Sequence, residues 1–196
     1  MEIPKIFHQF WTGKPMPHTY REFQHSWKRL HPNWELIFWG VEQPLPQLRN
    51  QDIFDRAAEI CPGYEGQLRA DILRYELLLE HGGVWIDTDM ECIKPIDKLL
   101  ELEGVTCFCA WCPKPHLNNA ILGAIPGHPF IQKLVEQLPQ SVADNPGEMP
   151  RVISGPRFMG RVYQANPEIA QEVKVYPQRY FYPYLWNELS KWKLRT

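Results

Sequence analysis

Two aspartates one residue apart, Asp87 and Asp89, close a short apolar run within His81–Cys92, HGGVWIDTDMEC. In an extended chain, side chains two apart point to the same side, with about 6.6 Å of backbone between them. Paired carboxylates of this kind make a claw for a hard cation such as Mg2+ or Mn2+. At a separation of about 5 Å the two charges repel by roughly 3 kcal/mol at an effective dielectric of about 20. A fold relieves that repulsion with a metal, a cationic side chain or a proton, and no Lys or Arg lies nearer in sequence than Lys94. A second charged pair, Asp71 and Arg74, precedes the claw.

The flanking residues predict how these groups are held. Gly82 and Gly83 allow a turn where side chains would clash, and Val84, Trp85 and Ile86 form an apolar run of buried-strand type. Before them, Glu65 to His81 (EGQLRADILRYELLLEH) is rich in helix formers. Leu68, Ile72, Tyr75 and Leu79 recur there at helical spacing as one buried stripe. Asp71 and Arg74 lie off that stripe, one turn apart. Spacing leaves two readings open: an i,i+3 ion pair worth a few tenths of a kcal/mol, or a polar pair presented to a ligand.

The unbroken block ADILRYELLLEHGGVWIDTDMECIKP, residues 70–95, resembles the sugar-binding region of the DxD glycosyltransferases of family 32. That family is related to yeast initiating mannosyltransferases and to the large clostridial glucosylating toxins. The resemblance implies a compact α/β fold of the Rossmann-like GT-A type. It implies a nucleotide diphosphate sugar as donor, UDP- or GDP-linked, with Asp71 and Arg74 on the sugar hydroxyls. Asp87 and Asp89 would engage Mn2+ or Mg2+ and the ribose or diphosphate. The opening IPKIFHQFW (Ile3–Trp11) also matches, and implies that Trp11 stacks on the nucleobase. Asn118 or Asn119, ahead of a Gly-His-Pro turn, is implied as a sugar contact, since an amide both donates to and accepts from hydroxyls. The family retains anomeric configuration. No carboxylate suited to a covalent intermediate is assignable here, so front-face substitution with the leaving-group oxygen as base is the expectation.

Elsewhere the chain reads as strand Ile3–Trp11, helix Tyr20–Leu30 and strand Trp34–Trp39, the start of a nucleotide-binding α/β sheet. Further helices are expected at Asp52–Ile60, Ile96–Leu102 and Phe130–Leu138, a mobile loop at Ser141–Pro150, a helix opened by Ser154–Pro156, and a strand at Glu172–Tyr176. Cys107, Cys109, Cys112 and His116 invite a zinc reading, but VTCFCAW alternates like a strand whose cysteines are small apolar residues. Glu91 is a third carboxylate, more plausibly paired with Lys94 or water than with a metal.

At 196 residues the chain suits one domain, 1–196, and a net charge of −2 without basic runs argues against nucleic-acid binding. No apolar stretch reads as a signal peptide or a membrane span, so a cytoplasmic enzyme is expected, with peripheral membrane contact open. The resembled bacterial members continue into a tail with histidine and a Ser-Trp pair; here only FYPYLWNE, Asn187, Ser190 and Trp192 remain for that part. The leading expectation is transfer of a hexose to a hydroxyl of a saccharide or glycolipid, in bacterial surface polysaccharide synthesis. The alternatives are a non-catalytic sugar-nucleotide or glycan-binding module and a metal-dependent phosphoester hydrolase, which would want more histidine ligands grouped around two metals.

Overall fold

Along Val84–Trp85–Ile86 the side chains alternate between two apolar layers, and that alternation places the central strand between helices on both faces. The computed structural model describes residues 1–13, 15–101, 104–113 and 115–182. The first half runs β1 (Ile6–Phe10), α1 (His18–Leu30), β2 (Glu35–Trp39), α2 (Gln51–Asp55), α3 (Ala57–Ile60), α4 (Glu65–His81) and β3 (Gly83–Ile86). The second runs α5 (Asp97–Leu100), β4 (Cys107–Trp111), β5 (Leu117–Ala124), α6 (Pro129–Asp144), α7 (Pro150–Ile153), α8 (Pro156–Ala165), α9 (Pro167–Ala170) and β6 (Val173–Tyr176). The strands form one mixed sheet in the order β2-β1-β3-β5-β4-β6. β1 pairs in parallel with β2 and β3, β5 is antiparallel to β3 and β4, and β4 is parallel to β6.

β1 connects through α1 to β2 on one side, while β3 lies on its other side. Their carboxyl ends therefore diverge at a topological switch point, where α/β sheets bind ligands. Trp27 of α1 covers one face with Phe7, Val84, Ile86 and Phe108. α4, α6 and α8 cover the other with Trp85, Cys107, Cys109 and Leu122. The glycine turn is sterically required: at Gly83, with φ +93°, a Cβ would stand 2.6 Å from the Ile6 carbonyl of the paired β1.

Several elements differ from expectation. α4 is no one-sided helix: every residue from Asp71 to Leu79 is buried, because β1, β3, β5, α3, α6 and α7 pack around it. The loop predicted over Ser141–Pro150 begins only after Asp144, since α6 continues through Pro139. Burial of Leu138 and Ser141 holds that extension, and the Ser141 hydroxyl donates to the Ile153 carbonyl at 2.7 Å. The helix predicted over Asp52–Ile60 is broken at Arg56 into α2 and α3. Asn118 and Asn119 lie inside β5, a strand not among those expected from the sequence. Asn187, Ser190 and Trp192 lie outside the described residues.

Candidate active site

At the centre of the switch point Arg74 bridges two carboxylates. Its guanidinium donates to Asp71 at 2.8 Å from one nitrogen and to Asp87 at 2.6 Å from another. It also lies over the Trp85 ring, 5.1 Å from the centroid, and the Trp85 indole donates to the same Asp87 oxygen at 2.8 Å. The cation missing from the sequence neighbourhood of Asp87 is thus delivered from α4, thirteen positions upstream. Asp71 and Arg74 are only 6% and 3% exposed, so their contact is not the weak surface pair that the spacing permits. Burial alone would lower the Arg74 guanidinium, but Asp87 and Asp71 outweigh it and hold it above its usual range. Burial pushes the Asp71 carboxyl up, opposed by Arg74 and by its hydrogen bonds with Ser154 and Asn119.

The DxD segment is not the extended claw that the strand reading gives. β3 is paired with β5 only as far as Ile86 opposite Ile121, and the Asp87 amide adds a last bond to the Ala120 carbonyl at 2.9 Å. Beyond that rung the chain turns, with the Met90 amide donating to the Asp87 carbonyl at 3.1 Å. Asp87 is half-buried and anchored by Arg74 and Trp85, whereas Asp89 stands exposed on the turn. Loss of solvation at the cleft raises the Asp89 carboxyl, and the Asp87 charge raises it further. Two carboxylates beside a cleft, one with an oxygen not used by Arg74 or Trp85, fit a hard divalent cation. Among the described residues no three His, Cys, Asp or Glu side chains cluster as a cage. Substrate phosphates and water would have to complete the coordination of such an ion.

The asparagine pair is divided. Asn119 is buried and its amide donates to Asp71 at 2.9 Å and to the Tyr75 hydroxyl at 3.2 Å. Asn118 instead accepts from the Ala120 amide at 2.9 Å and does not line the cleft. A bulge makes this choice. β4 pairs Phe108 with Gly123 but Ala110 with Asn118, so β5 carries extra residues between the two rungs. The bulge shifts the inside–outside phase: Leu117 and Leu122 both reach the α4-side core, while Ile121 faces the opposite layer. In an uninterrupted strand Asn119 would share its face with Ile121.

Two participants escaped sequence reasoning. Ser154, fully buried, donates its hydroxyl to the other Asp71 oxygen at 2.7 Å across 83 positions of sequence. The Tyr75 hydroxyl, read above as part of an apolar stripe, donates to the Ser154 carbonyl at 2.7 Å. The only local signal was the Ser-Gly-Pro helix start. Gly155 is required there, because a Cβ would lie 3.0 Å from the Arg151 Cα and 3.2 Å from an Asp71 oxygen.

Asp71, Arg74, Trp85, Asp87 and Asn119 line a cleft of about 500 Å³, within the range of small-molecule sites. Trp11, Thr12 and Tyr20 line it after β1, Asp87, Thr88 and Asp89 line it from the DxD turn, and Pro150, Arg151 and Pro156 line it from α7 and α8. The Trp11 ring meets Tyr20 edge-on, with centroids 5.8 Å apart. Cys107 and Cys109 are fully buried on β4 in the α4-side core. Both pack there as small apolar strand residues, as the alternation of VTCFCAW predicts, and burial pushes the Cys109 thiol up to about 12.

Residues 17–105 match the family described as "Glycosyltransferase sugar-binding region containing DXD motif". It is 30% identical over 141 residues to inositol phosphoceramide mannosyltransferase 3 of Schizosaccharomyces pombe, covering 70% of this chain and 38% of that protein. It is 30% identical over 137 residues to mannosyl phosphorylinositol ceramide synthase SUR1 of Saccharomyces cerevisiae, covering 69% of this chain and 35% of that one. The chain thus spans little more than a third of these relatives. Among solved structures, PaToxG glycosyltransferase superposes with a TM-score of 0.66 at 14% identity, over 87% of this chain and 74% of that one. The UDP-bound glycosyltransferase domain of the YGT toxin superposes with a TM-score of 0.60 at 12% identity, over 89% and 80%. The mixed six-stranded α/β sheet is therefore that of the GT-A toxin glycosyltransferase domains.

Proposed function

We propose that this chain is a metal-dependent glycosyltransferase that moves a hexose from a nucleotide diphosphate sugar to a hydroxyl of a saccharide or glycolipid. The observation that carries the reading is the Asp71–Arg74–Asp87 bridge in the lining of a cleft that the DxD turn also lines. An ion pair built only for stability has no need of a cleft, whereas a rigid pair facing one is suited to orienting sugar hydroxyls. The fit of the DxD carboxylates to a hard cation, with donor phosphates completing it, supports a dependence on Mn2+ or Mg2+.

In this proposal Trp11, just after β1, stacks on the nucleobase, Asp71 and Arg74 fix the sugar, and Asn119 holds Asp71 in place. Asp87 and Asp89 hold a divalent ion, whose chemistry is to offset charge growing on the departing diphosphate. With no second carboxylate assigned beneath the anomeric carbon, retention by front-face substitution is the mechanism proposed. The names of the relatives, mannosyltransferases acting on inositol phosphoceramide, favour mannose as the hexose. Of the two acceptors expected from sequence, a saccharide or a glycolipid, they favour the glycolipid. No helix among the described residues is long and apolar enough to cross a membrane.

Calorimetric titration of UDP, GDP and their hexose conjugates, with and without Mn2+, tests the donor assignment. Metal-dependent binding of one nucleotide, abolished by Asp89→Asn in a folded protein, is the expected result. Binding that ignores both the metal and Asp89 would leave a sugar-nucleotide module in place of the transferase.

A further inference from the structure

Asp71 lines the cleft, while Ser154 and Tyr75 are fully buried and outside its lining. A closed ring of hydrogen bonds joins the three. The Ser154 hydroxyl donates to Asp71 Oδ2 at 2.7 Å, and the Tyr75 hydroxyl donates to the Ser154 carbonyl at 2.7 Å. The Asn119 amide completes the ring by donating to the Tyr75 hydroxyl at 3.2 Å and to Asp71 Oδ1 at 2.9 Å. Three separate parts of the chain meet in it: α4, β5 and the junction of α7 with α8.

That junction directs the Ser154 hydroxyl onto Asp71. Its nearby alternative is the Pro150 carbonyl, at 3.1 Å. This oxygen already accepts the amides of Ser154 and Gly155, at 2.9 and 2.8 Å, and a carbonyl has two lone pairs. The backbone of the α7 turn thus uses up the local acceptor.

Among the described residues, donors account for three of the about four acceptor positions of the Asp71 carboxylate. Arg74 and Asn119 take Oδ1, and Ser154 takes one position of Oδ2. The oxygen that Ser154 holds is therefore also the one with room for a ligand hydroxyl. A tie built only for stability gains little from a buried carboxylate, because apolar side chains of like volume hold such positions as well or better. Without Ser154, Asp71 would keep donors on Oδ1 alone, and its plane would be free to turn about that oxygen.

We infer that Ser154 is a positioning residue: its hydrogen bond to Oδ2, braced by Tyr75, sets the plane of the Asp71 carboxylate so that the remaining lone pair meets a hydroxyl of the donor sugar. The inference rests on the donor-site reading proposed above and extends it to two residues that touch no substrate.

The test uses the full chain, wild type, Ser154→Ala, Ser154→Thr and Tyr75→Phe, each checked for folding by circular dichroism. UDP and GDP, and their glucose, galactose and mannose conjugates, are titrated in by calorimetry with Mn2+ present. Ser154→Ala should weaken the nucleotide sugar that binds wild type by about fivefold to thirtyfold, as loss of one hydrogen bond to a charged group does, and leave the bare nucleotide within about twofold. Tyr75→Phe should show the same pattern with a smaller loss. Ser154→Thr keeps the hydroxyl and should hold the nucleotide sugar within about threefold of wild type. If Ser154→Ala does not fold, Tyr75→Phe decides by the same pair of titrations. The inference is overturned if nucleotide sugar and bare nucleotide weaken alike or neither weakens, as for a purely structural tie. It is overturned equally if folded Ser154→Thr binds the sugar no better than Ser154→Ala, or if wild type binds a nucleotide but none of its conjugates. Failure of wild type to bind any nucleotide would instead sink the donor-site reading, and this inference with it.

Discussion

Replacement of Arg74 by methionine removes the cation shared by Asp71 and Asp87 while keeping most of the apolar stem in the core of α4. Asp71, 6% exposed, is then left with Asn119 and Ser154 as donors but no counter-charge. Breaking a buried pair by removing one partner costs about 3–5 kcal/mol, against a total stability of about 5–15 kcal/mol for a domain. For a chain of this size each kcal/mol moves the melting temperature by about 2–4 °C, so a fall of about 6–20 °C is expected. The unpaired Asp71 carboxyl should rise further above its unfolded value. A carboxyl raised in the folded state binds more protons there than in the unfolded chain, so Arg74→Met should regain stability as pH falls from neutral. Thermal unfolding followed by circular dichroism at pH 7 and pH 5 measures both effects. In a cycle with Asp71→Asn, the double variant should be more stable than the sum of the singles predicts, with a coupling above about 1 kcal/mol. A fall under about 2 °C, or strict additivity, would refute the buried bridge and return the pair to the weak surface class.

Acid should weaken the fold through His8. Trp39 donates to His8 Nδ1 at 3.1 Å, so Nε2 carries the proton and donates to the Gly82 carbonyl at 2.9 Å. Burial, with a smaller push from His81, lowers His8 to about 4 against the Gly82 bond. Between pH 6.5 and about 4 the unfolded chain binds the extra proton, so up to roughly 3 kcal/mol of stability is lost as pH falls through that window. Urea unfolding of wild type and His8→Gln across that range should show a shallower acid loss in the variant, and parallel curves would count against it. The two asparagines should separate: Asn119→Ala removes two buried hydrogen bonds and should cost about 2–4 kcal/mol with loss of activity, whereas Asn118→Ala should cost under about 1 kcal/mol and keep it. Equal effects of the two in thermal melts and transfer assays would contradict the bulge. Gly155→Ala forces a Cβ against the Arg151 backbone and the Asp71 carboxylate, so a loss of about 1–3 kcal/mol is expected in denaturant unfolding. A neutral result would mean that α7 yields freely.

The sequence by itself determined the local pieces. Helical periodicity from Glu65, two glycines that alone tolerate the Gly82–Gly83 turn, and an apolar run ending in Asp87 specify α4, the turn and β3 through neighbours a few residues apart. The β1–α1–β2 opening followed from the same periodicities, and so did the strand reading of Cys107 and Cys109. Tertiary structure decided which charges meet and which side chains face the cleft. Arg74 reaches Asp87 only because α4 folds back over β3, and Ser154 reaches Asp71 only when α7 and α8 dock on α4. α4 is buried all round because of what packs on it, which its own stripe of leucines does not record. The DxD turn and the choice of Asn119 over Asn118 depend on where the β3–β5 pairing stops and where β5 bulges. Strand faces alternate with a period of two residues, so a register change contributed by a partner strand reverses inside and outside. No pattern within LNNAILGA specifies it.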